Sequence, residues 1–241
     1  MLEDLDKAAN ESIILLHVCA HNPTGCDPTK QQWSQILEVV KRKQHLAVFD
    51  SAYQGFASGS LAEDAYSLRH FVENYDRIML FQSYAKNFGL YGERTGALSV
   101  VCDSKAENAV VMSRLKQMAR NLYSSPPVYG ARIVDTVLSD PKLTQMWHEE
   151  LILMSKRIMD MRNKLTSHLK DLGTPHNWSH ITSQIGMFAY TGLSTEQVNT
   201  VRDKHHIYLT ADGRISVAGL NNGNVAKVAE AFHLVTKDAK F

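Results

Sequence analysis

Net charge, cysteines and long apolar runs are all scarce in this sequence, and each scarcity excludes a class of protein. The 26 Lys and Arg residues nearly balance the 25 Asp and Glu residues, which gives a formal net charge of +1. This balance offers no electrostatic basis for binding nucleic acid or a membrane surface. No stretch of about 18 consecutive apolar residues occurs, so the sequence predicts no membrane-spanning helix. No signal or transit segment is visible at the start.

The cysteines, Cys19, Cys26 and Cys102, are too few and too scattered for a disulfide framework. No two of them form a Cys-x-x-Cys metal motif, which favours a reducing compartment. What remains is the ordinary composition of a globular protein, with 44% apolar and 21% charged residues. At 241 residues the chain is long enough for one large domain, or for one domain and part of a second.

The first 50 residues have the pattern of a strand, a helix and a second strand. Residues 13–19 form a continuous apolar run, typical of a strand buried on both faces of a parallel sheet, although a short buried helix gives the same pattern. Asp27 is placed to cap the following helix, with Pro28 at its first position. The apolar face of that helix is formed by Trp33, Ile36, Leu37 and Val40. With a strand at 45–50, this βαβ unit predicts an α/β fold with a mostly parallel sheet.

Two more strands are predicted at 77–82 and 95–101. Only a glycine-rich loop separates them, which is too short for a helical crossover, so we expect the second of the two to run antiparallel. Helices are predicted at 66–73 and 106–120. The prolines of Ser124–Pro127 end the second of these helices.

The longest periodic stretch follows Pro141. Its apolar stripe consists of Leu143, Trp147, Leu151, Met154, Ile158, Met161, Leu165 and Leu169. This spacing predicts a helix of about seven turns. Because a helix of this length often bridges two domains, we place a boundary near residue 154, between a larger α/β domain at 1–153 and a small α+β domain at 154–241. The small domain is predicted to contain a strand at 185–190, a helix at 194–204, a hairpin at 208–217 around Asp212 and Gly213, and a helix at 225–236.

The stretch from Phe81 to Gly96 concentrates the chemistry of the chain. It presents Ser83, Lys86 and Arg94 just past the predicted strand at 77–82. A hydroxyl, an amine and a guanidinium are the groups needed to hold an anionic, aldehyde-bearing cofactor, which takes a Schiff base and phosphate donors. Taken alone, the same residues also fit a polar loop with two solvated cations.

Further polar residues follow the other predicted strands. Asn22 lies past the first strand and Asp50 ends the second, and ligands of open α/β sheets bind at the carboxyl ends of the strands. Each has a simpler interpretation: Asp50 as a helix cap, Asn22 as a turn residue before Pro23, and Tyr53 as a stacked surface tyrosine. Their joint placement at one edge of the sheet favours a ligand site.

Several motifs carry a resemblance to a known family. They are His21-Asn22-Pro23-Thr24-Gly25, Phe49-Asp50-Ser51-Ala52-Tyr53-Gln54-Gly55-Phe56, Gln82-Ser83-Tyr84-Ala85-Lys86-Asn87, Gly92-Glu93-Arg94, Tyr123-Ser124-Ser125-Pro126-Pro127 and Asp212-Gly213-Arg214-Ile215-Ser216. In this order and spacing they resemble the pyridoxal-phosphate motifs of the aspartate aminotransferases, which are class I aminotransferases of fold type I. The likeness runs nearly end to end. It implies a partial pyridoxal-phosphate-binding large domain followed by a small C-terminal domain.

The resemblance implies a role for each candidate residue. Lys86 would form the Schiff base with pyridoxal 5′-phosphate and later move the substrate's proton. Asp50 would pair with the pyridine nitrogen and keep it protonated. Tyr53 and Asn22 would hydrogen-bond the 3′ oxygen of the ring. Lys86, Asp50 and Tyr53 are therefore the expected catalytic residues.

Four arginine and serine positions complete the implied site. Ser83 and Arg94 would hold the phosphate of the cofactor. Arg214, together with Asn22, would bind the substrate's α-carboxylate as a bidentate fork, a task that lysine performs poorly. Arg120 would reach into the neighbouring subunit of a homodimer and bind the distal carboxylate. As a solvated cation at a helix C-terminus, Arg120 also has a simpler interpretation. No residue is expected to bind a metal.

The activity implied is the reversible transfer of an amino group between L-aspartate and 2-oxoglutarate, giving oxaloacetate and L-glutamate. The resemblance begins in the middle of the family's large domain. We therefore expect the family's N-terminal region to be missing and this chain to be weakly active or inactive alone. Two alternatives stay open: a non-catalytic truncated subunit that pairs with full-length protomers, and an aromatic amino acid aminotransferase. The amino-acid sequence at 176–181 and 184–188 resembles the family's mitochondrial form, which favours the mitochondrial matrix, with the cytoplasm as the alternative.

Overall fold

The computed structural model describes residues 1–237. The chain divides into two compact units, each discontinuous in sequence. The first unit contains Met1–Cys19, Pro28–Gln54 and Ala62–Glu149. The second contains Ala20–Asp27, Gly55–Leu61 and the chain from Glu150 onward. The domain limits expected from the sequence, 1–153 and 154–241, stay a prediction.

A four-stranded sheet forms the centre of the first unit. Its strands are β1 (Ile13–His17), β2 (Leu46–Ser51), β3 (Ile78–Ser83) and β4 (Gly96–Val100), in that spatial order. The first three strands are parallel, and β4 runs antiparallel to β3, as the short connecting loop predicts. The helices of this unit are α1 (Leu2–Lys7), α2 (Lys30–Arg42), α3 (Leu61–Asp64), α4 (Tyr66–Asn74), α5 (Lys105–Tyr123) and α6 (Tyr129–Ser139), with α3 beginning at the unit's limit.

One face of this sheet carries the core of the first unit. Phe49 of β2 meets Phe71 of α4 edge-on, with ring centroids 5.0 Å apart, and Trp33 of α2 contacts both rings. The predicted apolar face of α2 is fully buried. The cap of α2 differs from expectation: Thr29, not Asp27, is the N-cap, in a capping box with Gln32. Asp27 was the wrong choice because its carboxylate instead accepts from backbone N–H groups of the preceding turn.

The opposite face of the sheet is open to solvent. Ile13 and Leu15 of β1 are 71% and 64% exposed, whereas Leu16 between them is 3% exposed. Phe81 and Leu98 are exposed on the same face as Leu15, as the strand register shows. The expectation that β1 is buried on both faces is therefore wrong for the described residues. A continuous apolar run shows that a strand could be buried on both faces, but it does not show that a layer covers each face.

Helix α7 (Pro141–Asp171) is the 31-residue helix that the apolar stripe predicts. Leu151, Ile158 and Leu165 of the stripe are buried, whereas Met154 is 39% exposed. The limit between the two units falls within this helix, after Glu149. Among residues 1–237, no helix is long and apolar enough to cross a membrane.

The second unit is an α+β arrangement. It contains most of α7, α8 (Ser179–Ser183), β5 (Phe188–Tyr190), α9 (Thr195–His205), β6 (Arg214–Ser216) and α10 (Val225–Thr236). Strand β6 pairs antiparallel with β5, which places Arg214 opposite Tyr190. The predicted hairpin at 208–217 is wrong in part: residues 208–210 form no strand, and Thr210 instead closes a tight turn onto the backbone of Arg214. Asp212 and Gly213 do form the predicted turn. The strand that pairs with β6 is β5, however, which is distant in sequence.

Candidate active site

A cavity of about 420 Å³ in the first unit lies at the ends of β2 and β3 and at the start of β4. Asp50, Ser83 and Arg94 all line it. Three residues that the sequence assigns to one cofactor thus contribute a carboxylate, a hydroxyl and a guanidinium to one cavity. Asp50 and Ser83 meet because β2 and β3 are adjacent parallel strands whose carboxyl ends lie at the same edge of the sheet, and Arg94 joins them from the loop that leads into the antiparallel strand β4.

Asp50 is the second-to-last residue of β2. Its neighbours in the strand register are His17 of β1 and Phe81 of β3, and its backbone carbonyl accepts from Val18 N–H at 2.9 Å. Residues paired in register share a face of the sheet, so the His17 imidazole belongs to the same face as the Asp50 carboxylate. His17 is a candidate that the motifs did not single out. The signal for it was its position at the end of the first apolar run.

Ser83 is the last residue of β3, where the chain turns toward Lys86. Its hydroxyl accepts from Ala85 N–H at 3.2 Å, and Tyr84 N–H donates to the Thr95 carbonyl at 3.1 Å. These two bonds close the base of the loop between β3 and β4. Ala85 lines the cavity and Lys86 follows it directly.

Arg94 has a backbone conformation that is unusual for its residue type. Its φ of 51° lies in the left-handed region, which L-residues other than glycine rarely adopt. Its guanidinium donates to the Tyr91 carbonyl at 3.1 Å and is otherwise exposed at the cavity. Strained conformations of this kind persist where the surrounding structure fixes them, often at ligand sites.

Lys86 lies against an aromatic ring. Its Nζ is 5.0 Å from the centroid of Tyr53, which is 5% exposed. A cation over the face of a buried ring is held by the ring's quadrupole. Tyr53 follows β2 by two residues, so the pair joins the loop after β2 to the loop after β3.

Side-chain amides connect the same two loops. The Gln82 amide donates to Gln54 Oε1 at 3.1 Å, and the Asn87 amide donates to the Gln54 carbonyl at 3.4 Å. The Tyr84 hydroxyl donates to Gln82 Oε1 at 3.4 Å, and burial raises the pKa of Tyr84. Sequence reasoning missed Gln54 and Gln82 as supports of the site, since an amide in a motif gives no indication of its partner.

A tryptophan of α7 fixes the residue after Lys86. Trp147 Nε1 donates to the Asn87 carbonyl at 2.7 Å, and the Trp147 ring stacks on Phe88 with centroids 4.4 Å apart. Asn87 itself is buried. The sequence predicts Trp147 only as a member of an apolar stripe. The stripe does not indicate that its indole N–H donates a hydrogen bond to the loop.

In the second unit, the structure brings Arg214 together with Asn22. Arg214 Nη1 donates to Asn22 Oδ1 at 3.1 Å, and the guanidinium lies 4.8 Å from the ring centroid of Phe188. A guanidinium above an aromatic ring keeps its in-plane N–H groups available for a planar anion. Phe188 and Arg214 are held in place by the β5–β6 pairing.

Hydrogen bonds hold both ends of the turn that carries Asn22. The Asp27 carboxylate accepts from the N–H groups of Ala20 and His21, at 2.6 and 2.8 Å. Ile185 N–H donates to the Gly25 carbonyl at 2.8 Å. Gly25 has a φ of +64°, and a Cβ there would lie 2.8 Å from the Ile185 oxygen, so this position requires glycine.

Asp212 supports the backbone of Arg214. Its carboxylate accepts from Arg214 N–H at 3.3 Å, from the Tyr190 hydroxyl at 3.0 Å and from the Thr210 hydroxyl. The hydrogen bond from Thr210 is the main cause that lowers the pKa of Asp212. The bond to Asp212 in turn raises the pKa of Tyr190. A charged Asp212 therefore fixes the turn from which Arg214 extends.

Arg120 is separate from these groups. It is exposed near the end of α5, donates to the Ser124 hydroxyl at 2.9 Å, and does not line the cavity of the first unit. Ser124 has a φ of 62°, so the chain turns sharply directly after the helix. No group of three or more His, Cys, Asp or Glu residues within 1–237 could hold a metal ion.

The chemistry of the first unit's cavity suits an anionic ligand with a basic ring nitrogen. Ser83 and Arg94 are donors for an anion, and Asp50 is an acceptor for a protonated nitrogen. Lys86, one residue beyond the cavity lining, is an amine able to bond a carbonyl carbon. In the second unit, Arg214 is a donor pair for a carboxylate.

Comparisons with known proteins agree with this chemistry. A sequence model of the family "Aminotransferase class I and II" matches residues 1–232. The mitochondrial aspartate aminotransferase of Arabidopsis thaliana is 50% identical over 239 residues, which are 99% of this chain and 56% of that protein. The chain thus spans little more than half the length of this relative.

Solved structures give the same result. A mitochondrial aspartate aminotransferase from Trypanosoma brucei superposes with a TM-score of 0.96 at 50% identity, covering 98% of this chain and 62% of that one. The cytoplasmic enzyme of Saccharomyces cerevisiae gives 0.95 at 47% identity, covering 99% and 60%. An aromatic-amino-acid aminotransferase from Burkholderia pseudomallei, covalently bound to pyridoxal phosphate, gives 0.95 at 44% identity, covering 98% and 59%.

Proposed function

Since this chain belongs to the class I and II aminotransferase family, we propose that it provides cofactor and substrate residues of an aspartate aminotransferase. The reaction is the reversible transfer of an amino group between L-aspartate and 2-oxoglutarate, with pyridoxal 5′-phosphate as cofactor. The relatives named aspartate aminotransferase, at about half identity over nearly the whole chain, support this substrate pair. The observation that carries the proposal is the cavity in which Asp50, Ser83 and Arg94 meet.

The side chains around that cavity fit the cofactor group by group. The Ser83 hydroxyl and the Arg94 guanidinium are suited to a phosphate, as a neutral and a charge-assisted donor. The Asp50 carboxylate is suited to a protonated pyridine nitrogen. Lys86 supplies the amine for covalent attachment, beside the ring of Tyr53. The cavity, at about 420 Å³, is in the size range of small-molecule sites.

When bound, the cofactor supplies an electron-accepting ring that stabilises negative charge at the substrate's α-carbon. Asp50 would hold a proton on the ring nitrogen and so maintain that capacity. Lys86 would accept and return the substrate's α-proton at Nζ. The Tyr53 hydroxyl and the Asn22 amide would help to hold the cofactor by hydrogen bonds to its 3′ oxygen.

Arg214 is proposed to bind the α-carboxylate of the substrate. Its Nη1 already donates to Asn22, so the partner fixes the guanidinium in its plane before substrate arrives. The Phe188 ring beneath it limits rotation out of that plane. A fork held in this way loses little entropy when it binds a carboxylate.

Arg120 is proposed to select dicarboxylates by binding the distal carboxylate in the partner subunit of a homodimer. Its exposure near the end of α5 supports a role toward another chain. The aromatic-amino-acid aminotransferase among the similar structures makes aromatic substrates the second candidate. Relatives from mitochondria and from cytoplasm both match, and we propose the mitochondrial matrix as the compartment.

Covalent labelling tests the proposed function directly. The protein is incubated with pyridoxal 5′-phosphate, reduced with borohydride, digested and mapped by mass spectrometry. We expect the reduced adduct on Lys86, with Lys116 of α5 as an internal control for non-specific labelling. Label spread over surface lysines with Lys86 unmodified would refute the assignment. The variant Lys86→Arg should lose the specific adduct without loss of folded structure.

A further inference from the structure

The chain between β6 and α10 contains the only Asn-Gly pair of the sequence, Asn222-Gly223. Both residues are exposed and lie in a turn of the second unit. The backbone nitrogen that follows an asparagine can attack the side-chain Cγ, which makes asparagine a thermolabile residue. Glycine hinders this attack least, because it has no Cβ and is the most flexible residue. The pair therefore has the residue types that spontaneous deamidation requires.

The asparagines of this turn differ in what their side chains hold. Asn221 N–H donates to Asn224 Oδ1 at 2.8 Å, and Gly223 N–H donates to Asn221 Oδ1 at 2.8 Å. Asn222 Oδ1 accepts instead from Nζ of Lys164, an exposed residue of α7, at 2.6 Å. A change in the Asn222 side chain therefore leaves the hydrogen bonds within the turn in place.

We propose that Asn222 is a site of deamidation and that Lys164 promotes the reaction. The Gly223 nitrogen loses its proton and attacks Asn222 Cγ. The bond from Cγ to the side-chain nitrogen breaks, and ammonia leaves with that proton, which gives a cyclic succinimide. Water then adds to one of the two ring carbonyls and opens the ring, giving aspartate or isoaspartate.

Two contacts act on this reaction in opposite directions. Attack on Cγ places negative charge on Asn222 Oδ1, and the Lys164 ammonium already donates to that atom, so it stabilises the charge as it develops. The Gly223 nitrogen, by contrast, has to leave its hydrogen bond to Asn221 before it attacks, which slows the reaction. The rate in the folded protein thus depends on a residue of α7 that is distant in sequence.

The two products differ in their effect on the fold. Aspartate places a carboxylate beside the Lys164 ammonium and converts a hydrogen bond into an ion pair. Isoaspartate adds a carbon to the backbone before Gly223 and displaces the turn that leads into α10. None of these residues is assigned to cofactor or substrate, so the site is independent of the proposed function.

Peptide mapping tests the proposal on the whole protein. The unaltered protein and its variants are incubated at mildly alkaline pH, digested under acidic conditions and analysed by mass spectrometry for conversion of amide to acid. We expect conversion at Asn222 before any other asparagine, with isoaspartate detected by methyltransferase labelling. Lys164→Met should slow it roughly twofold to fivefold, the effect of one exposed charge-assisted hydrogen bond.

Three controls separate the contact from general effects. Lys156→Met should leave the rate unchanged, because Lys156 is also exposed on α7 but forms no hydrogen bond to the turn in the described part of the chain. Lys164→Arg keeps a charged donor and should retain most of the rate. In concentrated denaturant all variants should convert at one rate, since the contact exists only in the folded chain. Conversion of another asparagine ahead of Asn222, or a native rate in Lys164→Met no slower than in Lys156→Met, would overturn the proposal.

Discussion

The indole N–H of Trp147 lies 2.7 Å from the backbone carbonyl of Asn87, the residue that follows Lys86. A residue of α7 thus determines the position of the loop that presents the proposed nucleophile. Because Asn87 is buried, the bond is shielded from water, and a water molecule cannot replace the indole N–H as donor if the bond is lost.

Trp147→Phe keeps the ring stacking on Phe88 but removes the N–H donor. We expect a loss of about 1–3 kcal/mol in the free energy of unfolding, because the Asn87 carbonyl is left without its donor. The measurement is the denaturant midpoint, together with the yield of borohydride-fixed label on Lys86. Trp178→Phe is the matched control, because Trp178 is also buried but its Nε1 has no acceptor within the described chain. Equal destabilisation by both substitutions would show that the Trp147 hydrogen bond is unimportant.

Arg120→Leu should change substrate choice. In an active enzyme that combines this chain with the N-terminal part of a related aspartate aminotransferase, kcat/KM for aspartate should fall far more than for aromatic amino acids. Loss of a charged partner from a desolvated carboxylate costs roughly 2–5 kcal/mol. Arg114→Leu, on the same helix, should leave both substrate classes unchanged, since Arg114 contacts only Gln117 in the described hydrogen-bond network. Equal losses across substrate classes would mean that Arg120 has a structural role.

Thr210→Ala should raise the pKa of Asp212 toward its ordinary value, since the Thr210 hydroxyl is the main cause of its lowering. A lowered pKa in the folded state means that Asp212 stabilises the fold above the unfolded pKa of about 3.9. That contribution is lost as the pH falls through the folded value. The acid limb of the stability profile should therefore be shallower in the variant. Carboxyl NMR titration measures the pKa, and Tyr190→Phe should shift it less, because the Tyr190 bond is a smaller cause. A larger shift in Tyr190→Phe would contradict this order.

The exposed face of β1 should govern solubility. Leu15→Lys places a charge on a side chain that is already 64% exposed and should reduce aggregation of the isolated 241-residue chain, as measured by light scattering. Leu16→Lys, one residue along, puts the charge into the buried face and should unfold the first unit. Similar behaviour of the two variants would show that β1 does not have one open face in solution.

The isolated 241-residue chain should have little or no transaminase activity. The match spans only 56% of the length of the Arabidopsis thaliana relative, and positional errors in a catalytic site can cost on the order of a hundredfold in rate. We expect weak cofactor binding and a low melting temperature together. Turnover of aspartate and 2-oxoglutarate by this chain at the rate of an intact aminotransferase would disprove the prediction.

Periodicity predicted the elements whose partners are local. Helix α2 and helix α7 occupy the positions that their apolar stripes indicate, helix α10 spans the predicted residues 225–236, and the short loop before β4 predicts its antiparallel direction. The residues at strand ends were also predictable, because parallel strands bring their carboxyl ends to one edge. Asp50 and Ser83 line one cavity for this reason, and Arg94 lines it from the loop before β4.

Contacts between distant parts of the chain could not be predicted. The partner of β6 is β5 rather than the adjacent residues 208–210, and no local signal distinguishes these two pairings. The donor for the Asn87 carbonyl lies 60 residues away on α7. Asp27 has the sequence signature of a helix cap, but its carboxylate accepts hydrogen bonds from the N–H groups of Ala20 and His21 instead.

The Asn22–Arg214 hydrogen bond joins residues 192 positions apart, and Ala20–Asp27 clusters with the chain from Glu150 onward. During synthesis at about 5–20 residues per second, Arg214 is therefore added on the order of 10–40 s after Asn22. The first unit, by contrast, can close its sheet while the rest of the chain is still being made. The high contact order of the second unit makes its assembly the slower step, and a nascent chain halted before Arg214 would carry a finished sheet while Asn22 still lacked its guanidinium partner.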